Sequence, residues 1–218
     1  GEAHALCMLG RFDDAQRVLA RVAQGGSAQY LLGEAFVLAT RSYLRAWGPG
    51  ASDALAAAVA TNRHVASHAI AIPPPCGHVL TGPAEALLTA VRLDPRGEAI
   101  GVARKHALAL SKWGRRHAVG EAPALLFTGQ LAAHNGDAAR AIDSCERALV
   151  SATRLGLRFT QAQAELELGR IRGPASVPGR GHLERARDLC IRCGASHHRK
   201  LVETLLEQAD GDAAELHT

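Results

Sequence analysis

The stretch "GQLAAHNGDAARAIDSCERA", Gly129 to Ala148, carries the reading of the fold. Ala141, Cys145 and Ala148 follow Gly136 at offsets of five, nine and twelve, and Gly129 precedes it by seven. The same ladder stands near the start of the chain, where Ala15, Leu19 and Val22 follow Gly10 at those offsets and Ala3 precedes it by seven. Spacings of three and four keep one side of a helix small or apolar. A glycine between two such runs ends the first helix. Each ladder therefore predicts two helices joined at the central glycine and crossing where small residues face each other, Gly129 opposite Ala141.

This pattern resembles the tetratricopeptide repeat, a helix-turn-helix unit of about 34 residues with small residues at the crossings. The two copies stand 126 residues apart, which no whole number of such units spans, so the expected fold is all-α, an irregular tetratricopeptide-like solenoid of antiparallel helix hairpins. A third copy takes Gly169 in the part of Gly129. If Ala186 stands for Ala141, the spacing is seventeen instead of twelve, and the extra five residues fall in a loop, "RGPASVPGRG". Cys190 then aligns with Cys145 and Leu19, and Cys193 with Ala148 and Val22. The C-x-x-C of "CIRCGASHH" accordingly reads as two packing positions of a helix that Gly194 ends, since a free cysteine behaves as a small buried hydrophobe.

The rest of the chain fits helices separated by turn signals. Asp13 or Asp14 caps a helix to about Ala23; a longer one runs from Ala28 to Trp47; Ser52 or Asp53 caps another that reaches Ala69. "IPPPCGHVLTGP" (72–83) reads as a loop, because prolines remove donors and fix φ, and it is a possible sub-boundary within a domain of residues 1–208. Helices then follow at Ala84–Leu93, Glu98–Trp113, Glu121–His134, Asp137–Leu155, Phe159–Ile171, His182–Cys193 and His197–Gln208, with 209–218 an acidic, frayed tail. Apolar residues at 47% of 218, with only 4% aromatic, predict a core of alanine and leucine that lets helices approach closely. No apolar run is long enough to cross a bilayer, and no signal peptide is recognisable. Five cysteines, an odd number, then point to reduced thiols and a cytoplasmic setting.

Chemistry is scarce. There is no G-x-S-x-G, no G-x-x-x-x-G-K-[ST], and no G-x-G-x-x-G after a strand. His64 and His68, four apart, with Cys76 and His78 form the weak candidate for a metal, but Val65 stands where a zinc hydrolase of the H-E-x-x-H type carries its base. The expectation is no catalytic residue, no cofactor and no metal. The net charge of +4 is densest in "ARKHALALSKWGRRH", which holds Arg104, Lys105, Lys112, Arg115 and Arg116 but one aromatic, Trp113. A nucleic-acid groove interleaves several stacking aromatics, so a solvated helix face is the favoured reading and nucleic acid a disfavoured partner.

From Lys105 to Arg170, and again in "HLERARDLCIRCGA", the chain resembles the C-terminal helical-repeat tail of large bacterial signalling proteins, in which a STAND-type ATPase is joined to an adenylate or guanylate cyclase or a Ser/Thr kinase. Tails of LuxR-type large ATP-binding regulators are similar. The resemblance implies a sensor or scaffold region of a longer polypeptide, with ATPase and output domains upstream. The start midway through a helix and the lack of an initiator Met agree with a piece of such a protein. The favoured function is a non-catalytic interaction module for signal transduction, whose partner is a protein segment or the attached ATPase or output domain. The alternatives are a ligand- or metal-sensing effector domain and a basic-patch nucleic-acid module. In a solenoid the inner helices line the binding face. Polar residues off their apolar stripes are Arg41 and Arg45 on the helix ending at Trp47, Gln130 and His134 on Glu121–His134, and Gln161 and Glu165 on Phe159–Ile171.

Overall fold

The computed structural model describes residues 2–24, 31–48, 53–67, 72, 77–94 and 97–215. Among them are eleven α-helices and no strand: α1 Glu2–Met8, α2 Phe12–Gln24, α3 Leu31–Trp47, α4 Ala54–Ser67, α5 His78–Leu93, α6 Glu98–Arg116, α7 Ala118–His134, α8 Ala138–Arg154, α9 Arg158–Arg172, α10 Val177–Cys193 and α11 Ser196–Glu215. The fold is all-α. The chain divides into two compact units, Gly1–Gly120 and Glu121–Thr218. The Pro-rich stretch 72–83 lies inside the first.

One turn recurs. Gly10, Gly136, Gly156 and Gly194 all have φ between 67 and 79°. In each case the next residue donates its N–H back across the glycine to a carbonyl five residues earlier: Arg11 to Leu6, Asp137 to Ala132, Leu157 to Ala152 and Ala195 to Cys190, at 2.8–2.9 Å. The carbonyl of that same residue accepts the first bond of the following helix, from Ala15, Ala141, Gln161 and Arg199. One residue thus closes one helix and opens the next, and only glycine sits easily at the left-handed position before it.

In the first unit α1 packs on α2 and α3, α3 on α4 and α5, and α5 on α4 and α6. Odd-numbered helices therefore stack on odd-numbered ones. Central α5 is buried on most of its surface, from Val79 to Val91. It starts at His78, five residues before the end of the expected loop. Pro83 lies inside it, tolerated because Gly82 brings α5 against α3: a Cβ at Gly82 would lie 2.5 Å from the Ala39 carbonyl oxygen. Burial at this crossing outweighs the one helix bond that proline removes. Across the buried seam, the His4 ring packs on Tyr43 at 4.7 Å and Tyr43 on Trp47 at 4.6 Å, and Trp47 Nε1 donates to Glu85 at 3.3 Å.

In the second unit α9 lies between α8 and α10. Every residue from Ala162 to Gly169 is buried. Leu126 of α7, Cys145 and Ala148 of α8, and Ala164 and Leu168 of α9 form one cluster, while Leu166 joins Leu183, Ala186, Val202 and Leu206 in another. The close approach predicted at Gly129 is present: a Cβ there would stand 2.7 Å from Cys145 Sγ and 3.1 Å from the Ala141 carbonyl oxygen.

The third copy holds in kind but not in register. A Cβ at Gly169 would meet Leu183 at 2.7 Å and the Gly179 carbonyl oxygen at 3.1 Å, so Gly179 and Leu183 take the places of Ala141 and Cys145. Ala186 then matches Ala148, and Cys190 matches Ala152. The second half of the supposed loop is helix: α10 starts at Val177, with Pro178 in its first turn and the Ser176 hydroxyl accepting from Gly179 N–H at 3.1 Å. Ser at the cap with Pro just inside is a helix start. The tail is corrected too, for α11 runs to Glu215. Ala209 is buried, and Arg180 of α10 holds Asp210 at 2.5 Å.

Candidate functional site

Among the residues proposed from sequence for recognition, Arg41 and Arg45 come together. They lie one turn apart on α3 with Leu44 between them, and all three line a cavity of about 380 Å3 in the first unit. Phe12, Asp13, Gln16, Leu19 and Ala20 of α2 form one wall and Ala57 of α4 the other. The cavity opens beside the even-numbered helices α2 and α4, with α3 beneath, so these arginines do not face the side that odd-numbered helices share. Arg45 has Asp53 at 3.7 Å, an exposed pair worth little. Arg41 is exposed and has no ion-pair partner among the described residues. Asp14, on the next position of α2, is occupied by Arg11 and Arg17, which hold its carboxyl below the ordinary range. The cavity joins two guanidiniums, one of them without an ion-pair partner, to Asp13, Gln16 and an apolar lining of leucine, alanine and phenylalanine. Such a mixture suits a carboxylate carried next to an apolar group.

The other four expected recognition residues belong to the second unit. Gln130 and His134 are half-buried on α7. Gln161 is engaged, donating from Nε2 to the Ala152 carbonyl oxygen at 3.1 Å, where it serves the end of α8. Glu165 is a correction: it is 5% exposed, because α8 and α10 enclose α9 on both sides. Its carboxylate accepts from His182 Nδ1 at 2.6 Å and Arg185 Nε at 2.9 Å. A buried carboxylate with two such partners ties α9 to α10 and offers nothing to a ligand.

His68 and Cys76 lie outside the described residues. His64 has Glu34 at 3.6 Å. His78 packs instead on Phe36 at 4.2 Å and on His4 at 5.8 Å; burial first, and then the neighbouring His4, push it down to about 4. Among the described residues no three His, Cys, Asp or Glu side chains are placed to hold a metal ion.

Cys190 is a core residue, and burial pushes its thiol up to about 12, as it does those of Cys7 and Cys145. Cys193 is half-buried, its Sγ turned to the Cys190 carbonyl oxygen. Since the thiolate is the reactive form, the disulfide reagent 5,5′-dithiobis(2-nitrobenzoate) is expected to modify Cys193 in the native protein and Cys7, Cys145 and Cys190 only on unfolding. Mass mapping of labelled peptides checks this, and native labelling of Cys190 at the rate of Cys193 would refute its core position.

Trp113, the one aromatic of the basic stretch, is not on its cationic face. It is buried, donates from Nε1 to the Ile72 carbonyl oxygen at 2.8 Å, and lies against Gly77 and Gly120, where a Cβ would strike its ring. Sequence reasoning missed His106, which is buried on α6. Its Nε2 stands 2.8 Å from the Leu80 carbonyl oxygen of α5 and its Nδ1 2.7 Å from the side-chain amide of Asn62 on α4. No periodicity marks a lone histidine as a tie between three helices.

No protein-family model, curated protein or solved structure matches this chain. Among the described residues no helix is long and apolar enough to cross a membrane.

Proposed function

We propose that the chain is a non-catalytic interaction module, the helical-repeat scaffold of a larger bacterial signalling or transcription-regulating protein, and that its partner is a protein segment, foremost the ATPase or output region of the same polypeptide. Support comes first from the cavity, where an unpaired Arg41 stands beside Arg45 over an apolar floor. The partner segment brings a carboxylate to the two guanidiniums and an apolar side chain to Leu19, Leu44 and Ala57. The recurring glycine turn, with odd-numbered helices stacking on one another in the first unit, agrees with a repeat scaffold of the tetratricopeptide kind.

Reversing both charges, Arg41→Glu with Arg45→Glu, is expected to weaken binding of the parent's ATPase region, supplied as a separate chain, by about tenfold or more. Stability should move by only about 0.5 kcal/mol, as for other surface changes. Calorimetric titration with parallel melting curves checks both, and binding unchanged in a folded variant would overturn the cavity as the recognition site.

A further inference from the structure

The outer face of α6 carries cations that nothing in the fold uses. Arg104, Lys105, Lys112, Arg115 and Arg116 are all exposed. At about 100° per residue they fall within an arc of about 120° and extend over about 18 Å of helix. Ala99, Ala103, His106, Leu110 and Trp113 occupy the opposite, buried side. The one acidic residue of the helix is Glu98, in its first turn. Among the described residues none of the five cations has an ion pair, whereas eleven arginines elsewhere, from Arg11 to Arg199, stand within 4.0 Å of a carboxylate. Lys112 and Arg116, four apart, repel each other, which costs a helix a few tenths of a kcal/mol. At the centre of the cationic arc lies Leu108, 66% exposed.

From this face we infer that α6 is a docking helix for an acidic amphipathic protein segment, one whose carboxylates surround an apolar residue seated on Leu108. Charge complementarity selects an anionic partner, since five like charges without internal counterparts gain from one. Leu108 selects protein over nucleic acid: an apolar side chain inside the ring of cations is buried by another apolar side chain, but gains nothing against phosphates. Trp113, which could have stacked on a base, is turned into the core. The site is separate from the Arg41 cavity, which lies between α2 and α4.

The test is fluorescence anisotropy with a labelled helical peptide in which glutamates flank one leucine, its leucine-to-serine counterpart, and a mixed-sequence DNA duplex of similar length. The parent chain should bind the leucine peptide with an affinity that falls as salt rises, and the serine peptide about threefold or more weakly. Lys112→Glu with Arg116→Glu should weaken binding about tenfold or more, Leu108→Ser about threefold, and Arg41→Glu not at all, with melting curves confirming that each variant is folded. No binding of the leucine peptide, equal binding of the two peptides, or tighter binding of the duplex with no effect of Leu108→Ser would each overturn the inference, the last in favour of a nucleic-acid surface.

Discussion

Gly129→Leu lowers the stability of the second unit by about 3 kcal/mol, the upper part of the range for overpacking a close crossing. Two opposing effects decide the size. Replacing a mid-helix glycine by a better helix former gains up to about 1 kcal/mol of backbone propensity, so the packing cost must exceed that gain to appear at all. It does so because the contact is not only with a movable side-chain tip. The new Cβ meets Cys145 Sγ at 2.7 Å, which a rotamer change can relieve, but also the Ala141 carbonyl oxygen at 3.1 Å, which moves only if α8 shifts. Gly129→Ala, which makes the same Cβ contacts without the bulk beyond them and gains the same kind of helix propensity, costs less than the leucine variant, and pairing it with Cys145→Ala isolates the part of its cost due to the sulfur. Urea unfolding followed by circular dichroism measures all three, and a leucine variant as stable as the parent would refute the crossing.

The second large effect is with acid. Burial holds His106 at about 4 and His78 at about 4, and lowers His4 as well. In the unfolded chain these groups take up protons near 6.5, so between the two values the unfolded state binds more protons than the folded one. Their contribution to stability is therefore complete above about pH 6.5 and is lost as pH falls toward about 4, with His106 alone accounting for about 3 kcal/mol over that interval. Burial is why protonation is refused: the Leu80 carbonyl, which accepts from Nε2, favours the charged ring, and desolvation overrides it. His197 of the second unit, lowered by burial and then by Lys200, contributes in the same direction, so the diagnostic comparison is with His106→Gln. That variant is less stable at pH 7 and has a flatter stability profile between pH 7 and 4; an unchanged profile would show that His106 does not carry the effect.

How far the sequence led can be judged residue by residue. The ladder of Gly10 and Gly136 was legible because it depends on local spacing alone: a left-handed turn needs glycine, and a close crossing needs small residues seven before it and five after. The third copy went out of register for an identifiable reason, as proline and glycine in "RGPASVPGRG" outweighed the Ser176 cap with Pro178 just inside. In 72–83 proline was likewise read as a breaker, although Gly82 was there to press α5 onto α3. Glu165 was misjudged because a charged residue in a helical run is normally solvated, and only the presence of helices on both sides of α9 makes it internal. The alignment of Arg41 with Arg45 followed from helical spacing. The cavity they share did not, since it depends on how α2 and α4 border α3.

The shared residue in each glycine turn has an outcome for how such a chain can be edited. Because Arg11, Asp137, Leu157 and Ala195 each belong to two helices at once, the joint has no slack: one inserted residue would rotate everything beyond it by about 100° and carry a buried stripe toward water. Cutting out a whole cassette is different. Removing the residues from Leu157 through Gly194 deletes α9 and α10 together and places Ala195 directly after Gly156, rebuilding a joint with the same backbone bonds while the surviving helices keep their alternation. The joint itself thus admits a change of length in steps of two helices where it does not admit one of a single amino acid, and its punctuation is a single left-handed glycine.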